Sequence, residues 1–313
     1  MSSAAPSAVG PARLRGLIPA THTPFTADGT LALDVVERQA AHLERLGIET
    51  VFIGGSTGES QSLTLQERLD LALRWSEVVR GSGLRLVVHV GANCLSDAAT
   101  LAGQAERLGA AAISALAPSY FKPRTIETLV ESMAMVAAAA PTTPFYYYDI
   151  PQLTGIQLPV TDFLARAADR IPSLAGAKFS GPDLLAYQQA LRIDGGRFTV
   201  PFGTDEWLLA ALALGAESAV GSSYNFAAAI ATRLWRAFTA GDLAAARTEQ
   251  WRSGQIIQLL AGFGYMAAAK AVMEMLGVPV GPPRLPHAPL HVADRAALRA
   301  ALDRLGAFAW LEP

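Results

Sequence analysis

The stretch 145–179, FYYYDIPQLTGIQLPVTDFLARAADRIPSLAGAKF, holds one full unit of the pattern that decides the fold. Phe145–Asp149 is apolar and aromatic up to its last residue, and Leu174–Phe179 is apolar apart from Lys178. Between them, Thr161–Ala168 sets Phe163, Leu164 and Ala167 on one face at helical spacing. Short, continuously apolar segments read as parallel strands buried on both faces, and the amphipathic segment as the helix that crosses between them. The unit recurs in both directions. Strands are expected at Leu17–Thr21, Thr50–Ile53, Arg85–Val90, Ala111–Leu116, Phe198–Phe202 and Ser218–Val220. Helices are expected at Asp34–Leu46, Leu65–Arg80, Asp97–Leu108, Ile126–Ala138, Asp183–Arg192 and Asp205–Leu214. Thr64-Leu65-Gln66-Glu67 reads as a capping box at one helix start, and Gly47, Gly81, Gly109 and Gly215 stand where helix-ending glycines are expected.

Eight strands in strict alternation with helices predict an α/β fold, a (β/α)8 TIM barrel, whose closure leaves no sheet edge. An open doubly wound sheet is the alternative. It would carry a G-x-G-x-x-G turn after an early strand, and the sequence has none. After Val220 the periodicity is helical only, at Asn225–Ala240, Asp242–Leu260, Phe263–Leu276 and Asp294–Leu305, broken by the Pro-rich segment Val278–Pro289. The expected organisation is a disordered segment 1–15, a barrel 16–224 and a C-terminal helical extension 225–313.

Composition narrows the function. The 313 residues are 51% hydrophobic with a net charge of −2, the reverse of a disordered chain. With 27 acidic residues against 25 basic ones, the basic excess of a nucleic-acid binder is missing. The single cysteine, Cys94, forbids an intramolecular disulfide and fits a reducing compartment. The start, MSSAAPSAVGPAR, lacks the basic and apolar regions of a secretory signal. The longest apolar runs, such as Trp207–Ala216, fall far below the roughly 18 residues of a membrane span. A soluble, cytoplasmic protein with neither nucleic-acid nor membrane partners is expected.

A barrel carries its chemistry at the C-terminal ends of its strands. There stand Gly54-Gly55-Ser56-Thr57-Gly58-Glu59-Ser60, Tyr146-Tyr147-Tyr148-Asp149, Lys178, Gly203-Thr204-Asp205-Glu206 and Gly221-Ser222-Ser223-Tyr224-Asn225. Only three of the 25 basic residues are lysine: Lys122, Lys178 and Lys270. Lys122 reads as a loop residue, and Lys270 as a helix-surface residue with a snorkelling stem. Lys178 interrupts an apolar strand, where an ammonium is costly to desolvate. A desolvated amine is the nucleophile that forms a Schiff base with a carbonyl. A structural ion pair is the other reading of Lys178.

The other candidates are equally two-sided. The Gly54–Glu59 turn points backbone N–H groups, with the Ser56 and Thr57 hydroxyls, at a small carboxylate, or it is an ordinary strand-to-helix turn. It also fits the G-x-S-x-G elbow of hydrolases, but that elbow needs a helix to start at the serine, and here the cap is Thr64. Tyr148 reads as a general acid/base or as core, like Tyr146 and Tyr147. Asp205 and Glu206 read as paired carboxylates or as acids of a first helical turn. The five histidines form no ligand cluster, so neither metal nor cofactor is expected.

Together these motifs resemble the pyruvate-dependent class I aldolases grouped with N-acetylneuraminate lyase and dihydrodipicolinate synthase. The resemblance runs from Gly16 to about Pro286, and rests on GSTGE at 55–59, YDIP at 148–151 and the strand lysine at 178. Further stretches resemble the lyase branch: Ala117–Pro123, Pro144–Tyr148, Gly176–Ser180 with Asp183–Leu185, Gly203–Glu206, Gly221–Asn225 and Gly281–Pro286. The resemblance implies that Lys178 forms the Schiff base and that Tyr148 takes the proton from the C4 hydroxyl as the carbon–carbon bond breaks. It implies that Ser56 and Thr57 hold the carboxylate. Ser180, Gly203, Asp205, Glu206, Gly221 and Ser222 would line the pocket for a sugar's polyol tail. Tyr120 resembles a tyrosine lent to a neighbouring subunit's site, in a homotetramer. The substrate would be a small 2-oxo acid, N-acetylneuraminate or another 2-oxo sugar acid. In the synthase branch an arginine stands two residues after the YDIP proline; here that residue is Leu153. Asp149 stands where relatives tend to carry asparagine or histidine. Strand alternation turns it away from Tyr148.

Overall fold

The computed structural model describes residues 13–313. Among these described residues seven regular strands form in chain order: β1 (Gly16–Pro19), β2 (Thr50–Ile53), β3 (Arg85–His89), β4 (Ala112–Ala115), β5 (Phe145–Asp149), β6 (Leu174–Phe179) and β7 (Ser218–Gly221). The helices are α1 (Val35–Arg45), α2 (Leu65–Val79), α3 (Leu95–Arg107), α4 (Ile126–Ala137), α5 (Pro151–Thr154), α6 (Val160–Ala167), α7 (Leu184–Arg192) and α8 (Leu208–Leu214), then α9 (Tyr224–Thr239), α10 (Leu243–Gly262), α11 (Tyr265–Met275), α12 (Val292–Leu305) and α13 (Ala307–Leu311). The short helices α5 and α13 were not legible in the periodicity.

Strands β2 to β6 pair in parallel, each with the next, and β1 pairs in parallel with β7. An isolated bridge from Ala20 to Phe52 joins β1 to β2. The remaining gap is filled by Phe198–Phe202, expected as a strand. It is extended but not a regular strand, touching β6 at Gly176–Thr199 and Phe179–Phe202, and β7 at Phe202–Ala219. Pro201 explains the difference: it has no N–H to give to the ladder. Its carbonyl still accepts from Phe179 N, at 2.9 Å, and the ring closes. The fold is a TIM barrel with a helical C-terminal part.

Side-chain alternation sorts the strands into two layers. Ile18, Phe52, Val87, Ala112, Tyr146, Tyr148 and Val220 fill the interior. Val51, Val88, Ile113, Tyr147 and Phe179 face outward against Trp75, Leu101, Leu129 and Phe163 of the helices. Each fully buried side chain of this size contributes about 1.5–3 kcal/mol. A further cluster joins Phe226 and Ile230 of α9 to Leu260, Val272, Leu298 and Leu302. The Thr64–Glu67 capping box forms as expected. Most of the expected disordered segment 1–15 lies outside the described residues; of the other three, Leu14 is buried and its N–H donates to the Tyr146 hydroxyl at 3.3 Å. No single helix among the described residues is long and apolar enough to cross a membrane.

Lys270 corrects its expectation as a surface residue. Helix α11 buries Ala267 to Met273, so the lysine points into protein, and it is 1% exposed. A buried ammonium needs a counter-charge. Glu59 supplies it, with its Oε1 2.7 Å from Lys270 Nζ. Burial lowers the Lys270 ammonium to about 8, while Glu59 pulls the other way.

Candidate active site

The β5–β6 register sets Tyr148 directly opposite Lys178, both pointing into the mouth of the barrel. Lys178 is buried, and its Nζ donates to Ser180 Oγ at 2.9 Å. The same nitrogen lies 3.7 Å from the centroid of the Tyr148 ring. Among the described residues no carboxylate comes within ion-pair distance of it, which removes the structural ion pair as its explanation. Two acids act at longer range. Burial pushes the Asp149 carboxyl up to about 7 and that of Asp205 up to about 6, and the Lys178 charge opposes both.

Tyr148 turns its hydroxyl toward Ser56, with 3.4 Å between the oxygens. Its ring meets Phe52 and His89 edge-on, with centroids 6.1 and 5.7 Å away. Alternation sends Tyr147 outward onto Phe163, at 4.5 Å, and Asp149 follows on the Tyr147 face. His89, at the end of β3, escaped the sequence reading because one histidine at a strand end carries no pattern. Its Nδ1 is 2.8 Å from the Gly54 carbonyl, and its Nε2 accepts from Leu116 N. Burial lowers the imidazole to about 3, so it is neutral and fixed in one tautomer.

Ser56 and Thr57 lie half-buried on the turn after β2. No helix starts at Ser56; α2 begins at Leu65, and the hydroxyl's neighbour is a tyrosine rather than a histidine. Those two facts exclude a hydrolase elbow.

Two glycines make room. A Cβ on Gly203 would stand 2.0 Å from Ser180 Oγ and 3.1 Å from Lys178 Nζ. A Cβ on Gly221 would stand 2.0 Å from Asp205 Oδ1. Asp205 is buried and accepts from Ser223 N at 2.8 Å, while Glu206 beside it is exposed. Gln250 of α10 holds this segment, donating to the Asp205 carbonyl at 3.2 Å and accepting from Leu209 N at 2.8 Å. Ser222 Oγ lies 2.7 Å from the hydroxyl of Tyr265, the first residue of α11. Tyr265 was also missed, since it lies outside the barrel repeat. Tyr120 stands apart from this group. It is 77% exposed, packed edge-on to Phe121, on a loop held by Asn93 Oδ1, which accepts from Ser119 N and Tyr120 N.

A buried amine without a carboxylate partner among the described residues, a phenol and a serine hydroxyl thus share one mouth. Such a set can form an imine and move a proton beside it. The hydroxyls of the Ser56–Thr57 turn could donate to an anion, and Asp205, Ser222 and Tyr265 are groups able to pair with hydroxyls.

Residues 13–305 match the dihydrodipicolinate synthetase family. The chain is similar to the N-acetylneuraminate lyase of Gallus gallus, 38% identical over 302 residues, covering 95% of this chain and 97% of that one. It resembles the solved structure of the Proteus mirabilis N-acetylneuraminate lyase, with a TM-score of 0.91 and 38% identity over 94% of this chain and 99% of that one. It also resembles the dihydrodipicolinate synthase of Cyanidioschyzon merolae, with a TM-score of 0.86 and 27% identity over 94% of this chain and 98% of that one.

Proposed function

The chain belongs to the dihydrodipicolinate synthetase family, and from that membership we propose that it is a carbon–carbon lyase that reversibly cleaves N-acetylneuraminate to N-acetylmannosamine and pyruvate. The observation that carries the chemistry is the buried Lys178 amine, which has no carboxylate partner among the described residues and sits over the Tyr148 ring. The substrate follows the relatives at 38% identity.

In this reading Lys178 Nζ attacks the 2-oxo carbon, and loss of water leaves a protonated imine. The imine draws the electron pair of the C3–C4 bond into an enamine, and Tyr148 takes the C4 hydroxyl proton as that bond breaks. Ser56, within reach of the Tyr148 hydroxyl, shares that proton and with Thr57 holds the substrate carboxylate. Protonation at C3 and hydrolysis release pyruvate and restore Lys178. Ser180, Gly203, Asp205, Glu206, Gly221 and Ser222 line the polyol side, where buried acceptors reject a substrate that lacks the hydroxyls. Leu153, exposed on α5 where the synthase branch has arginine, favours the lyase over the synthase reading. We extend the proposal to a cytoplasmic homotetramer, in which the exposed Tyr120 reaches a neighbouring subunit's site.

The test is borohydride trapping during incubation with N-acetylneuraminate, followed by peptide mass analysis. The expected result is a pyruvate-sized adduct on Lys178. An adduct from pyruvate but none from the sugar acid would keep the aldolase and remove the substrate. No adduct from either, on folded protein, would overturn the mechanism.

A further inference from the structure

The buried ion pair of Glu59 and Lys270 takes no part in the chemistry described, yet it ends the turn that carries Ser56 and Thr57. Glu59 adopts a left-handed backbone, φ 53° and ψ 33°, a region that costs a non-glycine residue and persists only when its surroundings enforce it. Those surroundings come from the far end of the chain. Lys270 Nζ lies 2.7 Å from Glu59 Oε1, and Arg284 N donates to Glu59 Oε2 at 2.8 Å. Lys270 also donates to the Pro282 carbonyl at 3.0 Å. Its ammonium and the Arg284 guanidinium each lie 4.3 Å from the centroid of the Phe25 ring. The guanidinium continues to Gly29 O and to Glu67, the capping-box partner of Thr64 in the first turn of α2. Segment 270–284 therefore grips the turn at Glu59 and the helix that follows it at Glu67.

We propose that Lys270 and Glu59 are positioning residues for the substrate carboxylate: their pair holds Glu59 in its left-handed conformation and so sets the donors of Ser56 and Thr57 to receive a 2-oxo acid. The inference rests on the reading of Ser56 and Thr57 as the carboxylate holders. It makes the C-terminal helices part of the binding site. Lys270 is not itself the imine-forming amine, because its three donor directions go to Glu59, Pro282 and the face of Phe25.

The test compares two ketones trapped on Lys178 by borohydride: pyruvate, which has a carboxylate, and acetone, which has none. The variants are Lys270→Met with Glu59→Gln, which removes both charges together, and the conservative Lys270→Arg. In the double variant the pyruvate concentration for half-maximal trapping is expected to rise about tenfold or more, as for a displaced binding group, with the maximal adduct unchanged. Acetone trapping is expected to stay at the wild-type level. Lys270→Arg is expected to recover most of the pyruvate affinity. An unchanged half-saturation in folded double variant would overturn the proposal. So would equal losses for pyruvate and acetone, which mark a general structural role. Should the double variant not fold, Glu59→Asp shortens the pair by one methylene and is read by the same criteria. Wild-type protein that traps neither ketone defeats the aldolase reading itself, a separate outcome.

Discussion

The Lys178 ammonium nitrogen lies over the face of the Tyr148 ring, 3.7 Å from its centroid, rather than against its hydroxyl. The ring's negative face offsets part of the desolvation of the buried cation. The hydroxyl is left to face Ser56. In the proposed mechanism, attack and proton transfer are thereby divided between two ends of one contact. Four expectations follow from this geometry and its surroundings.

Tyr148→Phe keeps the ring against Phe52, His89 and Lys178 and removes only the hydroxyl. Turnover is expected to fall about 10²–10⁴-fold, the usual worth of a positioned acid/base. Borohydride trapping of pyruvate should persist, since the amine remains. Steady-state kinetics beside an intact-mass trapping assay checks the split.

Gly203→Ala places a methyl where Ser180 Oγ already is, and presses it to 3.1 Å from Lys178 Nζ. Gly203 lies at the rim and its backbone is not in the left-handed region, so the cost falls on the site more than on the fold. Turnover is expected to fall by about 10²-fold or more, as for a misplaced reacting group, with a small change in Tm. Ala at Gly203 with wild-type kcat/KM would show that Lys178 and Ser180 have room to move.

Asp149 gives a pH signature. Burial raises its folded pKa from 3.8 to about 7. Between those values the unfolded chain ionises while the folded protein holds its proton, so this group's contribution to stability declines as pH rises from about 4 to 7. Asp149→Asn removes the decline. At pH 8 the variant is expected to melt about 2–4 °C higher than the wild type, and at pH 4 no higher. Calorimetry across that range decides it.

Glu67 acts in the opposite sense. The hydrogen bond from Arg284 lowers its folded pKa to about 2, below the ordinary 4.5. Its stabilisation is complete above about 4.5 and is lost as pH falls toward 2. Arg284→Leu is expected to destabilise the protein at pH 7 and to flatten its acid limb below pH 4.5. Urea midpoints at pH 7, 4 and 3 for both proteins test this. Equal acid slopes would dissociate Arg284 from Glu67.

The parts legible in the sequence are those encoded by neighbours. Apolar runs at strand length alternate with amphipathic helices, and that local period gave the ring and the ends at which chemistry gathers. Lys178 stood out because lysine is scarce and its strand is apolar. Tyr148 could be oriented by counting, since alternate residues of a strand face opposite sides. His89 and Tyr265 had no local signal. Each matters only through partners distant in the chain: Gly54 and Tyr148 for the one, Ser222 for the other. Lys270 was misread for the same reason, because its helix looks amphipathic until α9, α10 and the 278–284 segment cover it.

The amino-acid sequence by itself determined the eightfold alternation, the capping box at Thr64 and the lysine in an apolar strand, because hydrophobic periodicity and capping act over a few residues. Tertiary structure alone decided which charges meet. Glu59 and Arg284 are 225 residues apart in the chain and 2.8 Å apart in the fold. Closure of the barrel and docking of the C-terminal helices exclude water there, and in that low dielectric an ion or hydroxyl takes whatever partner the packing supplies. No rule of spacing along the chain encodes that choice.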